Sequence, residues 1–311
     1  MKPLKRITLR ALSSIDVNIK KNYKLFRKVQ KIITPSAKPT FRTFDHKVMA
    51  GDREIPIRLF IPKENDTKKV MIFFHGGGWV TGDIDTYTPV CVNLAEATGQ
   101  TIVSVDYSLA PENPFPIGLM DCYTATKEVF EHIDLLGASS EDITLIGDSA
   151  GGNLAAVVSL MARDKGEFKI RRQILIYPAT YHDHSKHSPF KSVHENGEDF
   201  ILTAERIEDY MDLYVPNKAT RKTAYVAPLI ADDLSDQPKT LIITSEYDPL
   251  RDEGEAYGKR LRSFGNEVRI FQMKDALHGY MNNPLTQDIV EHTFEIINLF
   301  FHEEKSNEVD L

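Results

Sequence analysis

Ser149 stands in Gly147-Asp148-Ser149-Ala150-Gly151, after the β-branched run Ile143-Thr144-Leu145-Ile146 and just ahead of an alanine- and leucine-rich stretch with helical spacing. This is G-x-S-x-G between a strand and a helix. Glycines two residues to either side let the turn tighten until the hydroxyl projects from the sheet. The helix that follows aims the positive end of its dipole at the same place. Such a serine suits attack on an acyl carbonyl, but at neutral pH it needs a base, a carboxylate to orient the base, and donors for the developing oxyanion.

The donors are sought where backbone N–H groups lie uncovered. His75-Gly76-Gly77-Gly78-Trp79 leaves an apolar run at 69–74 and passes through three glycines that have no Cβ to shield their amides. Gly76, Gly77 and Gly78, with the N–H of Ala150, are the expected oxyanion hole. The base and acid should follow in the order serine, acid, histidine. Asp248 lies just past the run Leu241–Tyr247, and His278 follows the run Val268–Met273, so each sits where a strand gives way to a loop. Asp252 reads instead as the N-cap of the next helix, while Glu246 and Asp275 lie too near their strands or His278 to orient it. His75 reads as a structural hydrogen-bonder for the glycine loop, and His46, His132, His292 and His302 as ordinary surface or packing residues. A histidine base must be neutral, so activity is expected to fall in acid.

The elements that must position these residues follow from periodicity. Residues 41–50 and 55–62 read as a hairpin around Gly51-Asp52. Apolar runs at 69–74, 101–106, 142–146, 172–177, 240–244 and 267–272 then alternate with helical segments near 87–98, 117–136, 150–164, 252–264 and 285–301. That alternation predicts an α/β chain, a mainly parallel sheet with helices on both faces. Between Pro178 and Pro238 the rhythm breaks into some sixty residues, polar at first and helical around 203–214, read as an insertion above the sheet. It holds His182, His184, His187 and His194, which read as a solvated loop, since the cysteine or carboxylate spacing of a zinc site is missing. Whether the first three bind a metal stays open; the chemistry above requires none.

The N-terminal segment needs its own reading. Leu4, Ile7, Ala11, Ile15, Ile19, Phe26, Val29 and Ile33 fall at helical spacing before Pro35. Residues 1–33 carry ten Lys or Arg against Asp16, a balance of +9, so the rest of a chain of net charge −7 carries −16. The expectation is a helix or helix pair whose apolar face packs on the protein with its lysines solvated; a membrane-surface helix is the competing reading.

Composition excludes several classes. With 41% hydrophobic and 27% charged residues in 311, the chain has the ordinary globular mixture. A pI near 5.8 offers no broad positive field for nucleic acid. Cys91 and Cys122 make no disulfide framework, and no run reaches the ~18 apolar residues of a membrane span. The expected setting is cytoplasmic, with no membrane partner.

Six motifs in order, HGGGW (75–79), DYSLAPENPFP (106–116), GDSAGGN (147–153), YP (177–178), DPLRDEG (248–254) and LHGY (277–280), resemble the hormone-sensitive-lipase-like carboxylesterases (bacterial family IV type) of the α/β-hydrolase superfamily, over about residues 65 to 300. The resemblance implies an α/β-hydrolase fold with an eight-stranded, mostly parallel sheet and a helical cap. It gives cap helices at 1–40, a catalytic core at 41–180 and 221–304, a cap insertion at 181–220 and a tail at 305–311. It implies Ser149, Asp248 and His278 as the triad of a serine carboxylesterase acting on short-chain acyl esters through an acyl-enzyme, without cofactor or metal. Its partner is a small-molecule ester; the oligomeric state, including a homodimer, stays open. The chain departs at Ser108, where the family often has Arg, which removes a charge at a structural turn. The same triad would serve an amidase or an acetyl-sugar deacetylase, and the fold also hosts catalytically silent ligand-binding modules, which lack the histidine.

Overall fold

The computed structural model describes residues 18–34, 41–63, 68–198, 200–283 and 285–307. The first half of the N-terminal reading, residues 1–17, and the last four residues of the tail lie outside them. Eight strands form one sheet: β1 (Arg42–Ala50), β2 (Arg53–Ile61), β3 (Val70–Phe74), β4 (Thr101–Val105), β5 (Ile143–Asp148), β6 (Arg172–Ile176), β7 (Lys239–Tyr247) and β8 (Val268–Leu277), in the order β1-β2-β4-β3-β5-β6-β7-β8. The β1–β2 and β2–β4 pairs are antiparallel and the other five pairs parallel. The hairpin turns at Gly51, whose φ of 64° suits a residue without Cβ.

The inner strands are apolar throughout because both faces of the sheet are covered. In β3, Val70, Ile72 and Phe74 enter one core and Met71 and Phe73 the other. Helices α2 (Thr88–Thr98) and α8 (Gln287–Asn307) cover one face. On the other lie α3 (Ile117–Glu131), α4 (Ala150–Lys165) and α7 (Arg251–Ser263). Helix α4 is buried along most of its length, which explains its small and apolar residues. In register, Phe74 pairs with Gly147, so the loop leaving β3 and the turn leaving β5 emerge side by side.

The interval from 178 to 238 holds no strand among its described residues, but it carries two α-helices, α5 (Lys191–Asn196) and α6 (Ala204–Tyr214), and two short 3-10 turns, Thr220–Lys222 and Pro228–Ile230. The six residues of α5 are too few to print a helical period on the sequence, so only α6 was legible. Helix α1 (Ile19–Ile33) is capped by Asn18, whose Oδ1 accepts from Lys21 N at 3.1 Å, and it ends ahead of Pro35.

Helix α1 follows its expected packing in part. Ile19 is buried and Tyr23 and Phe26 pack on the core, but Leu25, Val29 and Ile32 are exposed. Its described lysines are exposed, as expected, although Lys20 pairs with Asp209 and Asp212 of α6 and Lys31 with Asp83, while Arg27 is half-buried against Glu112. Of the expected apolar face Ile19 and Phe26 pack inward and Val29 does not, and one basic edge of the helix, with Lys20, Arg27 and Lys31, meets acidic residues of the body. No described helix is long and apolar enough to cross a membrane.

Candidate active site

Strand β5 ends at Asp148, and Ser149 takes φ 55° and ψ −117°, a backbone conformation that a non-glycine residue adopts only when its surroundings enforce it. A Cβ on Gly151 would collide with the carbonyl of Phe74, and one on Gly147 with the carbonyl of Gly151. Those contacts are the reason for small residues at both flanking positions. Ser149 N donates to Ile176 O at 2.8 Å, which locks the turn to the neighbouring strand.

Ser149 Oγ lies 2.8 Å from His278 Nε2, and His278 Nδ1 lies 2.7 Å from Asp248 Oδ2. The fold thus brings together three residues drawn from the ends of β5, β7 and β8. Asp248 is fully buried; its Oδ1 accepts from Leu250 N at 2.8 Å, and its backbone carbonyl from Asn196 Nδ2 at 3.3 Å. Its Oδ1 is thereby committed and its Oδ2 aimed at the imidazole. The ring of Tyr177 packs against His278 with centroids 4.8 Å apart.

The glycine loop is bent through positive φ at Gly77, Gly78 and Trp79. Gly77 O accepts from Val80 N, Thr81 N and Thr81 Oγ1 at 3.1, 2.9 and 3.0 Å. Because the peptide is planar and trans, the Gly78 N–H must point away from that turn. Among the described residues no protein acceptor takes the N–H of Gly77, Gly78 or Ala150. Gly76 differs, and corrects the expectation: its N–H donates to Asp148 Oδ1 at 2.8 Å, so it is already spent on holding the loop to the serine turn. His75 is buried as a support, with its ring stacked on Tyr107 at 4.3 Å and its carbonyl accepting from Tyr107 Oη at 2.8 Å. Burial lowers its pKa.

Comparison with known proteins is decisive at this point, since residues 71–282 match the family described as alpha/beta hydrolase fold. The chain belongs to the α/β-hydrolases, in their hormone-sensitive-lipase-like branch. It is 35% identical over 249 residues to an arylesterase of Saccharolobus solfataricus, covering 80% of each chain. To a carboxylesterase of Mycobacterium tuberculosis it is 38% identical over 240 residues, covering 76% of this chain and 74% of the relative. The solved structure of a hyperthermophilic esterase from the archaeon Pyrobaculum calidifontis superposes with a TM-score of 0.84 at 34% identity, covering 96% of this chain and 98% of that one.

Within this α/β-hydrolase, residues that sequence reasoning passed over complete the site. Asp148, the variable position of the serine motif, accepts from Gly76 N and from the hydroxyls of Tyr87 at 3.1 Å and Tyr177 at 3.3 Å. Burial pushes its carboxyl up to about 6 against those donors. Its place beside Ser149 was a signal; its partners were not. The departure at Ser108 is also resolved: Arg53, from β2, pairs with buried Asp121 at 2.9 Å, while Ser108 N donates to the other Asp121 oxygen at 3.0 Å. A guanidinium from another strand therefore supplies the turn with a charge.

Two further expectations are corrected. Asp252 lies inside the first turn of α7, preceded by Arg251, and its carboxylate accepts from Ser192 N at 2.7 Å; it braces α5 instead of capping α7. His184 is not solvated. It is fully buried with Nε2 2.7 Å from Glu253 Oε2, while Glu253 Oε1 accepts from Thr180 N and Tyr181 N at 2.6 and 3.1 Å. His182 is partly exposed and stacks on Tyr181, and His187 is exposed. Among the described residues no group of three His, Cys, Asp or Glu is placed to hold a metal ion.

Proposed function

We propose that this ester-hydrolysing enzyme acts on short-chain acyl esters, with Ser149 as nucleophile, His278 as general base and then acid, and Asp248 as the carboxylate that orients the imidazole. The observation that carries this reading is the hydrogen-bonded chain Ser149 Oγ to His278 Nε2 to Asp248 Oδ2, at 2.8 and 2.7 Å.

In the first half-reaction Ser149 Oγ bonds to the acyl carbon while its proton passes to His278 Nε2, and the carbonyl electron pair moves onto oxygen. The N–H groups of Gly77, Gly78 and Ala150 hold that oxyanion, each donor contributing roughly 10²–10³ in rate. Collapse expels the alcohol, protonated by His278. Water then attacks the acyl carbon along the same route, giving a proton to the imidazole, which passes it to Ser149 Oγ as the bond to the acyl carbon breaks and the acid leaves. Asp248 holds the Nδ1 proton in place, so that Nε2 presents its lone pair to the serine.

Residues 1–40 and 181–220 serve as the cap in this reading, over a core of 41–180 and 221–304, with 305–311 as a tail. Tyr210 and Tyr214 of α6 support it, the first packed against Gly78 and the second stacked on Trp79 with centroids 4.6 Å apart. Aromatic rings this close to the oxyanion donors favour a short acyl group. The buried free thiols of Cys91 and Cys122 fit a cytoplasmic setting.

Hydrolysis of chromogenic esters from acetyl to decanoyl, by wild type and Ser149→Ala together, is the test. Serine-dependent turnover with an optimum at short acyl chains is expected. Turnover that survives Ser149→Ala would overturn the serine mechanism, and a decanoyl optimum would overturn the short-chain assignment.

A further inference from the structure

We infer that Arg27 of helix α1 is a positioning residue for the oxyanion loop, acting through the carbonyl of Val80 and needed for full kcat. The inference rests on the oxyanion role proposed above for Gly77, Gly78 and Ala150, and adds what holds the loop in shape.

The loop's own hydrogen bonds fix the Gly78 N–H only as firmly as the turn at residues 79–81 is fixed. That turn is held from outside. Arg27 Nε donates to Val80 O at 2.7 Å and Arg27 Nη2 to Ala110 O at 2.8 Å, while Ala110 N donates to Trp79 O at 2.9 Å. The guanidinium is itself aimed by Glu112, whose two oxygens accept from Nη1 and Nη2 at 3.1 Å each. Four of its five donors are thus committed, in the fixed fork that a lysine cannot reproduce.

Two neighbours on the same face extend the grip. Gln30 Oε1 accepts from Gly82 N at 3.3 Å, and Lys31 pairs with Asp83 at 2.7 Å. Positions 27, 30 and 31 are three and four apart, the spacing that puts side chains on one side of a helix. They meet three of the four residues from Val80 to Asp83, within the turn and directly after it. Val80 and Ala110 are both fully buried, so their carbonyls would lose their partners where replacement by water is hindered.

Arg27 is itself partly exposed, its side chain at 23%, and it lines a cleft of about 470 Å³ with Asp106, Asn113 and Glu112. A small cation can therefore reach the place its guanidinium leaves, which allows a test by rescue.

The variants are Arg27→Ala and Arg27→Met, with Lys20→Ala as control, because Lys20 ties α1 to α6 without touching the loop. Active-site concentration is fixed by titration with a phosphonate ester, and kcat and KM are measured on an acetyl ester. A trifluoromethyl ketone reports the oxyanion: Ser149 Oγ adds to its carbonyl carbon, the serine proton goes to His278, and the carbonyl pair remains on oxygen in the hole. The expected result is a kcat about tenfold lower in both Arg27 variants with KM within about twofold. Ketone affinity should fall by the same factor, and millimolar guanidinium should restore kcat several-fold in Arg27→Ala only. Lys20→Ala should keep kcat within about twofold. Wild-type kcat in Arg27→Met overturns the inference, and so does an equal loss in Lys20→Ala or a loss wholly explained by a smaller titrated fraction. Should neither Arg27 variant fold, Arg27→Lys carries the same test, with an unchanged kcat and ketone affinity overturning it. Failure of the serine mechanism would appear separately, as turnover by Ser149→Ala.

Discussion

The Gly76 N–H and the Asp148 carboxylate meet at 2.8 Å, which fastens the glycine loop to the residue that precedes Ser149. The proposed nucleophile and the proposed oxyanion donors are thereby set relative to each other by a buried contact across 72 residues of sequence. Asp148→Ala should lower kcat about tenfold or more while leaving KM nearly unchanged, because the donors shift without loss of substrate contacts. Steady-state kinetics on an acetyl ester, with titrated enzyme, checks this.

Asp148 also predicts a pH dependence. Burial raises its carboxyl to about 6 from the unfolded value of 3.8, so the folded protein takes up this proton first. Between those values stability must therefore rise as pH falls, and the charged form is a cost at neutral pH. Asp148→Asn removes that slope. The urea midpoint of wild type relative to Asp148→Asn should climb from pH 7 to pH 4.5; a constant difference would contradict it.

Asp248→Asn keeps the shape of the site and alters the proton at His278 Nδ1. With Nδ1 no longer held as the donor, Nε2 loses the lone pair that accepts the serine proton. The expected cost is roughly 10³–10⁴ in kcat. An unchanged KM and melting temperature should accompany it, measured by kinetics and calorimetry.

The buried pair of His184 and Glu253 predicts a slope of the same sign, in a higher pH window. Burial lowers the imidazole pKa, but the charge and hydrogen bond of Glu253, with Glu208 and Asp183 beside it, outweigh this and raise it above 6.5. Its stabilisation is fully present below the unfolded value and is lost as pH rises through the folded one. Arg221 offsets part of the Glu208 charge, and His182 opposes the protonated form. His184→Ala should cost roughly 3–5 kcal/mol at pH 6, since it leaves Glu253 buried with its partner gone. The cost should shrink as the pH rises from 6.5 through the raised folded value, as read from denaturant melts across a pH series.

Gly78 has φ 61°, and a Cβ there would fall inside the ring of Tyr210. Gly78→Ala is expected to lower kcat about 10²-fold by displacing an oxyanion donor. Tyr210→Ala in the same chain should recover part of that loss, because it removes the collision but not the positive-φ strain. No recovery in the double variant would place the whole effect in the backbone.

The strands and their alternation with helices were legible in the sequence by itself, and so was the meeting of Ser149, Asp248 and His278 where strands end. Strands buried on both faces print as unbroken apolar runs, as β3 does with Val70–Phe74, and the chemistry of this fold lies where such runs stop. The glycines announced a loop with bare amides, but not that Gly76 would spend its own on Asp148 while Gly77 and Gly78 would not. Nor did the local pattern reveal that Arg53 would serve the turn at Ser108, that His184 would be buried on Glu253, or that Arg27 would grip Val80. Those outcomes join residues tens of positions apart, and a hydrogen bond depends on where two elements dock, to within a few tenths of an ångström. Periodicity decides which face of an element is buried, whereas only the packed tertiary structure decides which polar group meets which.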